Sequence, residues 1–184
     1  MYMKKVDVDK FYITRLMHPR HTVLITCFNP ENNKSNIITV AWSTPLSHNP
    51  PLIGISISPK RYSYNLISKT GEFIVNIPTI ELIKEVLFCG RKSGKDVDKF
   101  EKTKLTPKPA RKVRASIIEE CIAHLECKVV NQVEVGDHIL FIGEVIAAYS
   151  NEGLFKNIFD VKKVKTLHHL GEDLFVTTSS EVLK

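Results

Sequence analysis

Apolar and polar positions alternate over most of the chain, and turn-forming residues separate the alternating runs, so strands are expected to dominate. Thr22–Phe28 is β-branched and apolar, Asn29–Lys34 carries turn chemistry, and Asn36–Trp42 returns, which predicts a hairpin. Ser43–Pro51 contains Pro45, Pro50 and Pro51. Proline donates no ladder hydrogen bond, so this stretch is expected as an extended loop before the third strand, Leu52–Ser58.

A short helix over Ser63–Lys69 stops at Gly71, and strand Glu72–Ile77 follows. Thr79 is placed to cap a helix through Phe88 that Gly90 ends. In Cys121–Val129, residues Cys121, Ala123, Leu125, Cys127 and Val129 share one face, and His124, Glu126 and Lys128 share the other. That is the pattern of a half-buried strand with a solvated side. Gly136-Asp137 turns the chain into a long strand, His138–Tyr149. Long antiparallel strands with two or three inserted helices predict a mainly β, closed or partly closed barrel. No internal repeat interrupts this pattern, and residues 177–184 read as a loose tail.

Composition narrows the class. A length of 184 residues suits one well-buried core and is short for two. No apolar run approaches the ~20 residues of a membrane span, and the first residues lack the apolar centre of an export signal. The four cysteines form no C-x-x-C pair and no zinc-like spacing, as expected for reduced thiols in a cytoplasmic protein. Net charge is +6, and much of the excess clusters at Lys102, Lys104, Lys108, Arg111, Lys112 and Arg114. A polyanion partner is one explanation of that cluster, and a solvated loop beside an anionic small molecule is the other. Interleaved aromatics that could stack on bases are missing, which speaks against nucleic acid.

Four segments carry candidate chemistry. The third strand ends in Ser58-Pro59-Lys60-Arg61-Tyr62-Ser63, where free helix-start N–H groups, cations and hydroxyls suit a phosphate monoester. Asn36…Trp42-Ser43-Thr44 sets one Trp among small hydroxyl residues, either to line a planar aromatic ligand or simply as a core Trp. Cys89-Gly90-Arg91-Lys92-Ser93-Gly94-Lys95-Asp96-Val97-Asp98-Lys99-Phe100 has glycines that permit close backbone approach, but it matches no nucleotide-triphosphate pattern. Gly136-Asp137-His138 puts a histidine at the head of a buried strand, as a site residue or a turn-bonding one. His18 with His21, and His168 with His169, suggest metal ligation that no carboxylate or cysteine at ligand spacing completes, so no metal is expected. No Ser-His-Asp or Cys-His arrangement can be claimed, and no catalytic side chain is assigned.

The order and spacing of these pieces, with Asn49-Pro50-Pro51-Leu52 and Gly71-Glu72-Phe73-Ile74-Val75-Asn76, resemble the flavin reductase-like family of FMN-binding split barrels, from about Pro19 to Phe175. The resemblance implies an antiparallel Greek-key split β-barrel occupying the whole chain as one domain, with residues 1–15 as an N-terminal extension. It implies FMN as cofactor, with Asn36 and Trp42 beside the isoalloxazine and Ser43 and Thr44 at its polar edge or the ribityl chain. Ser58, Arg61 and Ser63 would hold the phosphate, with Lys99 as a second cation. Cys89, either a flavin neighbour or simply a buried small residue, and Ser93 join the site, His138 approaches from the opposite strand, and Phe175 belongs to a closing segment after His168-His169-Leu170-Gly171.

The implied activity is an oxidoreductase of flavoredoxin or flavin reductase type. It would take electrons from NAD(P)H or a protein donor and pass them through flavin to an acceptor. A homodimer and a redox partner protein are implied, without nucleic acid or membrane. The alternative class is a non-catalytic basic barrel that binds single-stranded nucleic acid.

Overall fold

The computed structural model describes residues 3–182; Met1, Tyr2, Leu183 and Lys184, which belong to the expected extension and tail, lie outside the described residues. The main sheet is antiparallel and built from β2 (Val23–Asn29), β3 (Lys34–Val40), β4 (Ser43–His48), β5 (Pro51–Ile57), β6 (Glu72–Ile77), β9 (Ala123–Val135) and β10 (His138–Ser150). Its order is β3-β2-β6-β9-β10-β5-β4. The two outermost strands are therefore consecutive in sequence and only Ala41 and Trp42 separate them. A sheet whose opposite edges are joined by two residues has to curl onto itself, and the result is the split barrel.

Three helices occupy the connections: α1 (Tyr62–Thr70), α2 (Ile83–Arg91) and α3 (Lys99–Thr103). Short strands β1 (Arg20–His21), β11 (Leu167–Gly171) and β12 (Leu174–Thr177) form a separate three-stranded sheet, and β7 (Pro107–Lys108) pairs with β8 (Ile117–Ile118).

Period-two alternation sorts the strand side chains between two cores. Val23, Ile25 and Cys27 of β2 join Ile38, Val40, Ile55, Phe73, Val75 and Phe141 in the larger cluster, which Leu66 and Ile67 of α1 also enter. The opposite faces of the same strands, Leu24 and Ile37, meet Val86 and Cys89 of α2 and Phe100 of α3. Both faces of β2 and β3 are thus apolar and covered. Phe73 reaches far enough across the barrel that a Cβ at Gly143 would lie 2.6 Å from its ring, so glycine is required there. Gly71 ends α1 in the left-handed region at φ +67, its N–H donating to Ile67 O at 2.8 Å.

Three local expectations need correction. Ser43–His48 is a strand, not an extended loop: it pairs with β5 from Ser43 opposite Ile55 to His48 opposite Pro51, with an irregularity between Pro45 and Ser47. An edge strand bonds on one side only, so proline is tolerated there. The second helix begins as a 3-10 turn at Ile80–Leu82, and Thr79 makes no side-chain cap. It also runs through Gly90 to Arg91, and a Cβ at Gly90 would sit only 3.3 Å from Thr39 Cβ. Close helix–strand packing, rather than helix termination, explains that glycine.

The third correction concerns the polar face of β9. His124 and Glu126 are buried rather than solvated, with Glu126 fully enclosed. The segment Ala110–Ser116 lies across them. Backbone N–H groups of Arg111, Lys112 and Val113 donate to the Glu126 carboxylate at 2.8, 2.6 and 3.1 Å, and Tyr149 donates its hydroxyl at 2.9 Å. Arg114 donates through both its backbone N–H and its Nε to Glu72, each at 3.0 Å. The guanidinium groups of Arg111 and Arg114 lie 3.9 Å from the Tyr149 ring and 4.9 Å from the Phe28 ring. Half of the basic cluster is therefore a strap whose backbone satisfies buried carboxylates.

Candidate functional site

The site forms where β5 ends and α1 begins. Arg61 is the N-cap of α1 in extended conformation, and its side chain makes no cap bond. The Arg61 N–H donates to Ser58 O at 2.9 Å, which closes the turn. The first N–H groups of α1 have no intrahelical acceptor and carry the positive end of the helix dipole. Facing them is the end of α2 with the following loop. Together they enclose a cavity of about 100 Å3.

Arg61, Ser63, Cys89, Ser93 and Lys99 all line that cavity, as does Gly94. Lys60, Arg91 and Lys92 line it as well, although sequence gives none of the three an individual role. Their signal is present in the chain as basic residues following Gly90 and preceding Arg61. Five cations thus converge, and no carboxylate among the described residues lines the cavity. Arg91 is shared with an ion pair to Asp173. Such a concentration of like charge beside a helix N-terminus suits a dianion.

Lys99 is the buried member, only 4% exposed. Its Nζ donates to Ile37 O at 2.6 Å and to Cys89 O at 2.7 Å, joining β3 to the end of α2. Burial, with Arg61 adding repulsion, holds its pKa below the ordinary lysine range. An ammonium has three N–H groups, so one remains for a ligand. Asn36 closes the floor: it donates from Nδ2 to Ser63 Oγ at 2.8 Å. A Cβ at Gly94 would fall 1.8 Å from Asn36 Oδ1, so only glycine permits this approach. Cys89 is fully buried, and burial pushes its thiol up to about 11, so it contributes its backbone and bulk rather than a thiolate.

A second grouping lies at the junction of β3 and β4. Trp42 is 39% exposed, its ring 4.8 Å from that of His138, and the Arg20 guanidinium stands 5.6 Å from the indole. His138 Nδ1 and Asp137 Oδ1 are 2.7 Å apart, which orients the imidazole. Pairing of Ile139 with Ile57 puts His138 next to Ser58, so the two predicted groups meet through the sheet register. Ser43 and Thr44 extend this area along β4, opposite Ile55 and Gly54. The Trp42 and His138 rings are tilted by 32° to each other and form an aromatic pair at this junction.

Phe175 stands apart from both groupings. It lies on β12, its ring 5.3 Å from that of His169, packed against the cluster of Leu24, Ile37 and Cys89. The sequence pairs of histidines also separate: His18 faces His169 at 5.1 Å and His21 faces His168 at 5.3 Å between ring centres. Among the described residues, no group of three metal-ligating side chains forms.

The flavin reductase like domain matches residues 15–168 of the chain. Flavoredoxin from Methanosarcina acetivorans superposes with a TM-score of 0.88 at 26% identity, over 99% of this chain and 95% of that one. Flavoredoxin of Desulfovibrio vulgaris (Miyazaki F) gives a TM-score of 0.86 at 25% identity, over 100% and 97%. An FMN-binding protein from Thermus thermophilus gives 0.82 at 26% identity, over 100% and 98%.

Proposed function

The chain belongs to the flavin reductase-like domain family, and from that premise we propose that it is an FMN-dependent oxidoreductase. It takes electrons from NAD(P)H or a protein donor and passes them to an acceptor. The observation that carries the FMN assignment is the cation cavity: Lys60, Arg61, Arg91, Lys92 and Lys99 around about 100 Å3 at the α1 N-terminus. Arg61, Ser63 and the free N–H groups hold the phosphate, and the third N–H of Lys99 completes the clamp. Asn36 fixes Ser63 from below. Ser93 and the backbone at Cys89 and Gly94 form the facing wall.

Trp42 and His138 would be the residues to receive the cofactor's ring. Trp42 supplies apolar contact and Ser43 and Thr44 supply hydrogen bonds to polar edges; Ser58, expected at the phosphate, does not line that cavity, and the register sets it beside His138, so it joins this second group. Flavin itself supplies the redox chemistry, accepting an electron pair and delivering it onward. The protein's part is to bind, orient and set charge, which accounts for a site without an acid–base dyad.

We take residues 1–184 as one cytoplasmic domain that pairs into a homodimer. Apolar side chains left exposed at Val6, Phe11, Leu16 and Met17, and at Val130 and Val135 of the β9–β10 tip, support that pairing. The test is spectroscopic. Purified protein should be yellow or become so with stoichiometric FMN, and should then oxidise NADH or NADPH. A protein that stays colourless with excess FMN would overturn the assignment. Oxidation rates with and without free FMN separate a tightly bound prosthetic group from a released substrate.

A further inference from the structure

The far end of the barrel holds a second cavity, of about 320 Å3, that the flavin assignment does not use. Ile77, Leu125, Tyr149, Phe155 and Phe159 line it, and His124 is its buried polar member. Tyr149 is eleven residues along β10 from His138, roughly 35 Å at the usual strand rise. This cavity is therefore separate from the Trp42–His138 surface of the same chain.

The hydrogen bonds around His124 determine which ligand chemistry fits. Asn76 donates from Nδ2 to Leu24 O at 3.0 Å and to Thr26 Oγ1 at 3.1 Å, which fixes its amide orientation. Its Oδ1 then accepts from the Ile118 N–H at 3.1 Å and lies 2.9 Å from His124 Nδ1. An amide oxygen only accepts, so His124 carries its hydrogen on Nδ1. Burial lowers the His124 pKa to about 4, so the ring is neutral at pH 7 and Nε2 is a bare acceptor. That nitrogen has no partner among the described residues, although the residue is only 4% exposed.

The other polar groups on the walls are engaged. The Tyr149 hydroxyl donates to Glu126, and the Ser150 hydroxyl is 3.5 Å from Asn151 O. Over the cavity, the 151–160 segment is tied down by Asn151 N–H to Ile122 O at 2.9 Å and Asp160 N–H to Leu154 O at 3.0 Å. Its Phe155 and Phe159 rings meet edge to face at 5.1 Å. Aromatic walls with one unmatched acceptor select a flat apolar molecule bearing one donor.

We propose that this cavity is a binding site for a small phenol, its hydroxyl donating to His124 Nε2 and its ring stacked among Tyr149, Phe155 and Phe159. The site lies apart from the flavin site proposed for the same chain, and its calorimetric and NMR readouts do not require the flavin.

The test uses the whole protein loaded with FMN, titrated with p-cresol and, separately, toluene. Binding is followed by calorimetry and by NMR of the His124 ring nitrogens. Saturable p-cresol binding that shifts Nε2, with toluene at least about fivefold weaker, is expected, since a buried acceptor left unmatched is unfavourable. Ala148 also lines the cavity and is exposed, so Ala148→Leu narrows the opening without touching the core. That variant should retain its flavin spectrum and lose p-cresol binding. Equal affinity for toluene, unchanged binding in Ala148→Leu, no saturable binding, or competition by free FMN would each overturn the proposal.

Discussion

Two buried charges, Lys99 and Glu126, differ in how fully the same barrel satisfies them. Glu126 has four donors on its two oxygens, three of them backbone N–H groups of the strap, and fills its acceptor capacity. Lys99 has two carbonyl acceptors, one unfilled N–H, and four further cations on the wall of an open cavity. The saturated carboxylate completes a core, whereas the ammonium keeps one N–H free on a cavity wall shared with like charges. Both are lysine or glutamate in an alternating strand or helix start, and neither differs from a solvated residue in the sequence pattern.

Substitutions at the two charges should diverge most clearly. Glu126→Ala leaves three strap N–H groups and a tyrosine hydroxyl without an acceptor, so a loss of about 3–5 kcal/mol is expected in urea unfolding. FMN affinity of the folded fraction should stay within about twofold of wild type. Lys99→Met should affect both quantities. Two buried carbonyls lose their donor, at about 2 kcal/mol of stability, and FMN binding weakens at least about tenfold in a flavin fluorescence titration. A Lys99→Met protein with normal affinity would separate the ammonium from the phosphate. The ties of Lys99 to Ile37 and Cys89 make it part of the fold as well as of the cavity wall.

Exposed charge gives the contrast. Arg61→Ala touches no core contact, so stability should hold while FMN affinity falls about tenfold, roughly 1.5 kcal/mol. Gly94→Ala sharpens the geometry, since its methyl must displace Asn36 from Ser63. A loss of about 1 kcal/mol in FMN binding is expected, with riboflavin less affected because it lacks the phosphate.

The smallest effect is in pH. Lys99 has a folded pKa below its unfolded one, so the folded state binds fewer protons between the two values. Its contribution to stability therefore rises with pH across that window. FMN affinity should move the other way, falling as pH passes through the lowered pKa and losing the ammonium earlier than an ordinary lysine would. A flat alkaline affinity profile in wild type that matches Lys99→Met would remove Lys99 from the clamp.

Much of the barrel was legible from alternation alone. Strands β2, β3, β5, β6 and β10 lie within a residue or two of their expected limits, because each is a run of β-branched or apolar residues between turn formers. The resemblance to flavin-binding split barrels, carried by short ordered motifs, groups the Arg61–Ser63 turn with the Gly90–Lys99 segment, and residues of both line one cavity. Phe175, expected in the closing segment, packs on the outer core and does not line that cavity. Lys60, Arg91 and Lys92 went unassigned because a cation beside a turn looks the same whether or not a second element faces it.

The chain's own pattern decides strand periodicity, turn positions and the local chemistry at the α1 start, since those depend on neighbours within a few residues. The burial of His124, Glu126 and Lys99, the pairing of Ser43–His48 with β5, and the convergence of five cations arise only when distant segments meet. Their physical reason is common to all. A polar group's role is set by how many of its hydrogen-bonding positions the folded chain satisfies, and that number depends on partners tens of residues away.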